Sequence, residues 1–163
     1  MYCKIGYLLG VKPNSKNQTI VIELGDQLLD ISIFEYFCWM TIGTEKFSEI
    51  DTPPEIINSL LQKGLIIEIA WNEISIQKLF KHKLIRQGLG ILNDDENGAY
   101  CVFATNEGVN TLSDFQMQLW QKANGRKTIE EIFNEVSQNQ SIDEVNYCGQ
   151  IVFLVEHCLA FIY

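Results

Sequence analysis

The chain has 163 residues, 47% of them hydrophobic and 20% charged, with a formal charge of −9. That apolar fraction is ample for a packed core and argues against a disordered or fibrous chain. No apolar run reaches the ~18–20 residues that span a bilayer, and Met1-Tyr2-Cys3-Lys4 lacks the basic and apolar regions of a signal peptide.

The charge is uneven. Residues 1–70 carry five Lys/Arg against nine Asp/Glu, residues 71–87 four against one, and residues 88–163 three against eleven. Nucleic-acid binders gain affinity by neutralising phosphates with a basic face, so two acidic halves disfavour that partner. Five cysteines, Cys3, Cys38, Cys101, Cys148 and Cys158, include no C-x-x-C pair. They read as small buried hydrophobes of a reducing cytoplasm, the expected location.

In chain order, residues 5–11 and 19–24 are β-type and flank the turn-rich stretch 12–17, as a hairpin does. Gly25-Asp26 turns the chain into a short third strand, 27–30. Ser32 and Glu35 then fit a capping box that opens a helix, with Phe34, Phe37 and Cys38 expected to face a core. After a shortened middle at 46–50, Thr52-Pro53-Pro54-Glu55 announces another helix. Gly64 suits the left-handed residue that ends it, before an apolar strand at 65–69. Residues 71–86 read as a basic connecting helix with Ile76, Leu79, Phe80 and Leu84 on its apolar side.

The second half repeats the first. Strands at 89–92 and 99–104 flank a turn at 93–98, and a short third strand follows at 109–110. Ser113 and Gln116 form the next capping box, and that helix ends near Ala123. Thr128 with Glu131 opens a second helix, and Ser141 with Glu144 a third carrying Val145, Cys148, Val152 and Val155. A closing strand is expected at 159–163.

Ile31-Ser32-Ile33-Phe34-Glu35-Tyr36-Phe37-Cys38-Trp39 aligns with Leu112-Ser113-Asp114-Phe115-Gln116-Met117-Gln118-Leu119-Trp120 at a constant offset of 81. Leu60-Leu61-Gln62-Lys63-Gly64-Leu65-Ile66 aligns with Leu154-Val155-Glu156-His157-Cys158-Leu159-Ala160 at an offset of 94. The expected architecture is α+β: tandem winged-helix-like domains at 1–70 and 88–163, each a small antiparallel sheet with three helices, joined by a connecting helix at 71–87.

Thr111-Leu112-Ser113-Asp114-Phe115-Gln116-Met117-Gln118-Leu119-Trp120, followed by Asn124-Gly125-Arg126-Lys127-Thr128-Ile129-Glu130-Glu131-Ile132, resembles the PqqD-like family. Its members are peptide-binding recognition elements for precursors of ribosomally made, modified peptides. The resemblance covers roughly residues 88–163; residues 1–70 share the helix start and the tryptophan but lack the Thr-Ile-Glu-Glu-Ile segment. It implies that a peptide adds as an extra strand beside the third strand and lies against the third helix. By position the groove is Val109, Asn110 and Thr111 facing Val145, Cys148, Gly149 and Val152. The competing reading of Val145, Cys148 and Val152 is plain core filling, and the same surface in winged helices also serves dimerisation, so a homodimer is an alternative use.

No phosphate-binding glycine loop, H-E-x-x-H or G-x-S-x-G string occurs. His82 and His157 lack neighbouring metal ligands, and Ser113-Asp114 reads as a helix cap. Asp94-Asp95-Glu96-Asn97 lacks EF-hand ligand spacing and reads as a solvated turn. The expectation is therefore a non-enzymatic binding module with no metal or cofactor. Its alternatives are a winged-helix DNA-binding regulator and an adaptor for a folded protein. The DNA reading needs a basic third helix, and residues 141–157 contain no lysine or arginine.

Overall fold

A computed structural model describes residues 1–12, 19–43, 52–92, 100–104, 108–138 and 141–163. The stretches 13–17, 46–50 and 93–98, with the acidic run Asp94-Asp95-Glu96-Asn97, lie outside the described residues. The protein is α+β, with six helices and four small antiparallel sheets among the described residues. It divides into two units, Met1–Ala70 and Trp71–Ile162.

Unit 1 runs β1 (Tyr2–Lys4), β2 (Tyr7–Val11), β3 (Ile20–Leu24), β4 (Gln27–Ile31), α1 (Ile33–Thr41), α2 (Pro54–Gln62) and β5 (Ile66–Glu68). Strands β2-β3-β4 form a meander, and β1 pairs with β5 in a separate sheet. Residues 5–11 are thus not one strand. The chain changes sheets at Ile5-Gly6, where φ of Gly6 is +94°. A Cβ on Gly6 would lie 2.8 Å from Ile22 Cγ2 and 3.0 Å from the Glu23 carbonyl, so only glycine fits this crossing. In β2 the register slips between Leu8 and Gly10, a bulge of the kind that glycine in a strand marks.

Unit 2 runs α3 (Glu73–Phe80), β6 (Lys83–Arg86), β7 (Leu89–Leu92), β8 (Tyr100–Ala104), β9 (Gly108–Leu112), α4 (Asp114–Lys122), β10 (Asn124–Thr128), α5 (Ile129–Ser137), α6 (Glu144–Glu156) and β11 (Ala160–Ile162). It has the element order of unit 1 with α3 added in front and β10-α5 inserted before the last helix. Strands β7-β8-β9 form the matching meander, and β6 is the central strand of β10-β6-β11.

The expected connecting helix is only half helical. Asn72 and Ser75 cap α3 with reciprocal side-chain bonds, and the helix stops at Phe80. Leu84 lies four residues beyond Phe80, a helical step, but it is the inward-facing residue of β6. A single apolar residue cannot distinguish the two periods. Helix α6, the third helix expected within residues 88–163, likewise begins at Glu144, not at Ser141. The Asp143 carboxylate accepts from the Asn146 backbone N–H at 2.8 Å, a charged cap that displaces the expected Ser141 box. That bond holds the Asp143 carboxyl below its ordinary range.

Helix α1 opens on the expected Ser32–Glu35 box, and α4 on Ser113–Gln116. The face of α1 turned inward is Glu35, Cys38, Trp39 and Ile42, which pack with Ile20, Ile22, Ile31, Ile57, Leu60 and Leu65 apart from the carboxylate. Phe34 and Phe37, expected in the core, are 71% and 61% exposed. Both faces of α1 carry apolar residues at three- and four-residue steps, so spacing alone does not choose between them.

One device occurs in both units. The Trp39 indole N–H donates to the carbonyls of Ile5 (3.0 Å) and Leu65 (3.1 Å). The Trp120 indole N–H donates to those of Gln87 (3.0 Å) and Leu159 (3.0 Å). Ile5 N–H bonds Leu65 O at 2.8 Å, and Gln87 N–H bonds Leu159 O at 2.7 Å. A cation from the first strand of each arrangement lies over the ring, Lys4 at 6.0 Å and Arg86 at 5.1 Å. Helices α2 and α6 also end alike, with Leu65 N–H on Leu60 O and Leu159 N–H on Leu154 O. The left-handed residues of these ends are Gly64 (φ +69°) and Cys158 (φ +53°).

The units differ in how α1 and α4 are tied to the later helix. Glu35 is 8% exposed and bonds Ser59 Oγ (2.6 Å) and Lys63 Nζ (2.5 Å), both at or beside the end of α2. Burial pushes this carboxyl up, but the Lys63, Ser59 and Ser32 bonds together outweigh it and hold the pKa at about 2. The folded value lies below the unfolded one, so the contribution is complete above the ordinary value of 4.5 and drains as pH falls toward 2. Such a shift corresponds to at most ~3 kcal/mol. Urea unfolding between pH 5 and 2.5 is expected to show wild type losing roughly 2–3 kcal/mol more than Glu35→Gln; equal losses would remove Glu35 from this role.

Candidate functional site

Strand β9 ends its sheet. It pairs with β8, from Tyr100↔Leu112 to Ala104↔Gly108, and no other described strand pairs with its outer side. Val109 stands opposite Phe103 in that register, and its side chain lies outside the described residues. Asn110 is half-buried, Thr111 exposed and Leu112 buried, the alternation of a strand with one face on a core. Among the described residues the enclosed Asn110 Nδ2 atom has no hydrogen-bond partner, a state that costs ~1–3 kcal/mol if nothing satisfies it.

Helix α6 is buried on most of its circumference. Tyr147, Cys148, Ile151, Val152, Leu154 and Val155 all face inward. The Tyr147 ring meets Phe80 (5.9 Å), Phe133 (4.9 Å) and Phe115 (6.5 Å), and its hydroxyl donates to Ile129 O at 2.9 Å. Of the helix residues expected in the groove, Cys148 and Val152 belong to this core, at 0% and 4% exposure. Neither side chain is open to a ligand in this structure. Burial, and then the Glu144 carboxylate, push the Cys148 thiol up to about 12, so it stays protonated and unreactive at neutral pH.

Val145 and Gly149 have the opposite fate. Val145 is 47% exposed, and a Cβ placed on Gly149 would meet nothing within 4 Å. One further step of four along the same stripe reaches Phe153, half-buried, its ring stacked on His157 at 4.0 Å. Phe153 was missed from sequence; the i, i+4, i+8 spacing of Val145, Gly149 and Phe153 was the available signal. His157 Nδ1 lies 2.9 Å from Phe153 O, so this histidine serves the helix end.

The start of α4 joins the two parts. Gln116 Nε2 donates to Gln150 Oε1 at 2.9 Å, and Phe115 meets Tyr147 edge-on. These contacts fall three and four residues past the end of β9, and beside Gly149 on α6. The C-terminal end of β9 is thereby tethered to the second turn of α6.

Among the described residues, no group of three or more His, Cys, Asp or Glu is placed to hold a metal ion, and no helix is long and apolar enough to cross a membrane. Comparison with family models, curated proteins and solved structures returns no match to the chain.

The space at Gly149 has a direct consequence. Glycine within a helix costs ~1 kcal/mol relative to alanine, and nothing opposes the added methyl. Gly149→Ala is expected to raise stability by about 0.5–1 kcal/mol in chemical denaturation. A loss of stability would mean that Gly149 faces the core.

Proposed function

We propose that the protein is a non-enzymatic binding module of two winged-helix-like units. In this reading unit 2 captures an extended peptide by strand addition to β9, on the side where α4 tethers that strand to α6. The outer side of β9, which no strand among the described residues pairs with, is the observation that carries the reading, since native sheets usually guard such an edge with lysine, proline or a covering element. Thr111 and Asn110 supply the strand, and Val145, Gly149 and Phe153 an accessible helix stripe. This is narrower than the groove expected from the PqqD-like resemblance, because Cys148 and Val152 are committed to the core.

Charge supports the same reading over DNA binding. Helix α6 presents Glu144 and Glu156 and carries no cation of the lysine or arginine type, and Lys63 beside α2 is held by Glu35. Phosphates gain nothing from either helix.

The test begins with selection from a displayed library of random peptides against the full chain. Enriched peptides are expected to slow amide exchange across residues 108–112, and Gly149→Leu is expected to weaken them more than ten-fold, about 1.4 kcal/mol, with the fold intact. Enriched peptides that leave β9 unprotected and bind the mutant equally well would refute the assignment.

A further inference from the structure

The exposed face of α1 in unit 1 is apolar over its whole length. Phe34, Phe37 and Met40 follow one another at three-residue steps and are 71%, 61% and 40% exposed. Leu28 on β4, shortly before the helix, is 64% exposed. The matching positions of unit 2, at the offset of 81, are Phe115, Gln118 and Gln121. Phe115 is half-buried against Tyr147, and the two glutamines are exposed, as a solvated helix face requires. One fold thus carries a polar face in one unit and an aromatic face in the other.

Electrostatics identify what the aromatic face suits. The chain carries −9, so two copies repel one another across most approaches. Helix α1 contains one charged residue, Glu35, and that carboxylate is turned inward onto Lys63. Its outer face is therefore uncharged, and a second copy can approach it without bringing like charges together. A basic peptide or nucleic acid would find no counter-charge there.

Area gives the scale. Aromatic side chains bury 150–250 Å² each when fully covered, so Phe34, Phe37 and Met40 at their exposures offer on the order of 300 Å² of apolar surface. A stable interface uses about 800 Å² per partner, with an apolar centre and a polar rim. The stripe has the size of such a centre.

We propose that α1 pairs with α1 of a second copy through Phe34, Phe37 and Met40, making the protein a symmetric dimer. A two-fold interface is self-complementary, and the middle residue of the stripe, Phe37, lies nearest its own counterpart. This inference does not depend on the peptide reading of unit 2.

Sedimentation equilibrium across a concentration series is expected to show wild type moving from monomer to dimer, more completely at high salt, where the −9 repulsion is screened. Replacing Phe37→Gln and Met40→Gln together, the residues unit 2 carries, is expected to weaken dimerisation at least ten-fold, with a melting temperature equal to wild type at concentrations where both are monomeric. If that pair lowers the melting temperature, Phe37→Cys decides instead: oxidation is expected to give a disulfide-linked dimer that wild type oxidised in parallel does not give. A monomer at every concentration, a dimer weakened by salt, or a dimer unaffected by the glutamine pair would each overturn the proposal, as would failure of Phe37→Cys to crosslink.

Discussion

Each unit is organised around a single donor, the indole N–H of a tryptophan that serves two carbonyls at once. One carbonyl belongs to the point where the chain leaves its first strand for the meander, Ile5 or Gln87. The other belongs to the residue just before the closing strand, Leu65 or Leu159. Leu65 O and Leu159 O also accept from the Ile5 and Gln87 backbone N–H groups, whereas the Ile5 and Gln87 carbonyls lie where the chain leaves its strand and take the indole as a partner. The tryptophan body meanwhile fills the core, at 5% and 6% exposure. With this donor in place, the first and last strands close on each other although some sixty residues or more separate them in sequence, and α1 or α4 is fixed across the crossing.

Much of this was legible from residue types whose chemistry is local. The Ser32–Glu35, Ser113–Gln116 and Thr128–Glu131 boxes form as their spacing predicts, because a capping box is closed entirely within four residues. Gly64 takes the left-handed conformation expected of it, and Cys158 takes the same conformation in unit 2 without glycine's freedom. Nothing local announces β6. Its strand identity comes from pairing with β10 and β11, whose residues lie some forty and seventy-five positions further along the chain. The inner face of α1 was only partly legible: Cys38 faces the core as expected, but Phe34 and Phe37 do not. What fixes the orientation is Trp39, whose indole must reach Ile5 and Leu65. The groove residues divided for the same kind of reason: Cys148 and Val152 flank the inward Tyr147–Ile151 side of α6, and Gly149 turns away from it.

The two units depart from their shared plan in their helix ties and their outer faces. Unit 1 secures α1 with a partly buried ion pair, Glu35 with Lys63, whereas unit 2 uses the neutral Gln116–Gln150 bond. Unit 1 leaves an aromatic stripe on α1; unit 2 has glutamines there and adds α5 and β10. The two units share one internal lock, and their outer faces carry different residues.

The shared lock is open to a direct measurement. The chain has three tryptophans, and Trp71, unlike the other two, is 41% exposed. Hydrogen exchange of the three indole N–H signals, followed by nuclear magnetic resonance, should show two strongly protected signals assigned to Trp39 and Trp120 and one, Trp71, exchanging rapidly. Rapid exchange at either Trp39 or Trp120 in the folded protein would contradict the account that one indole donor closes each unit.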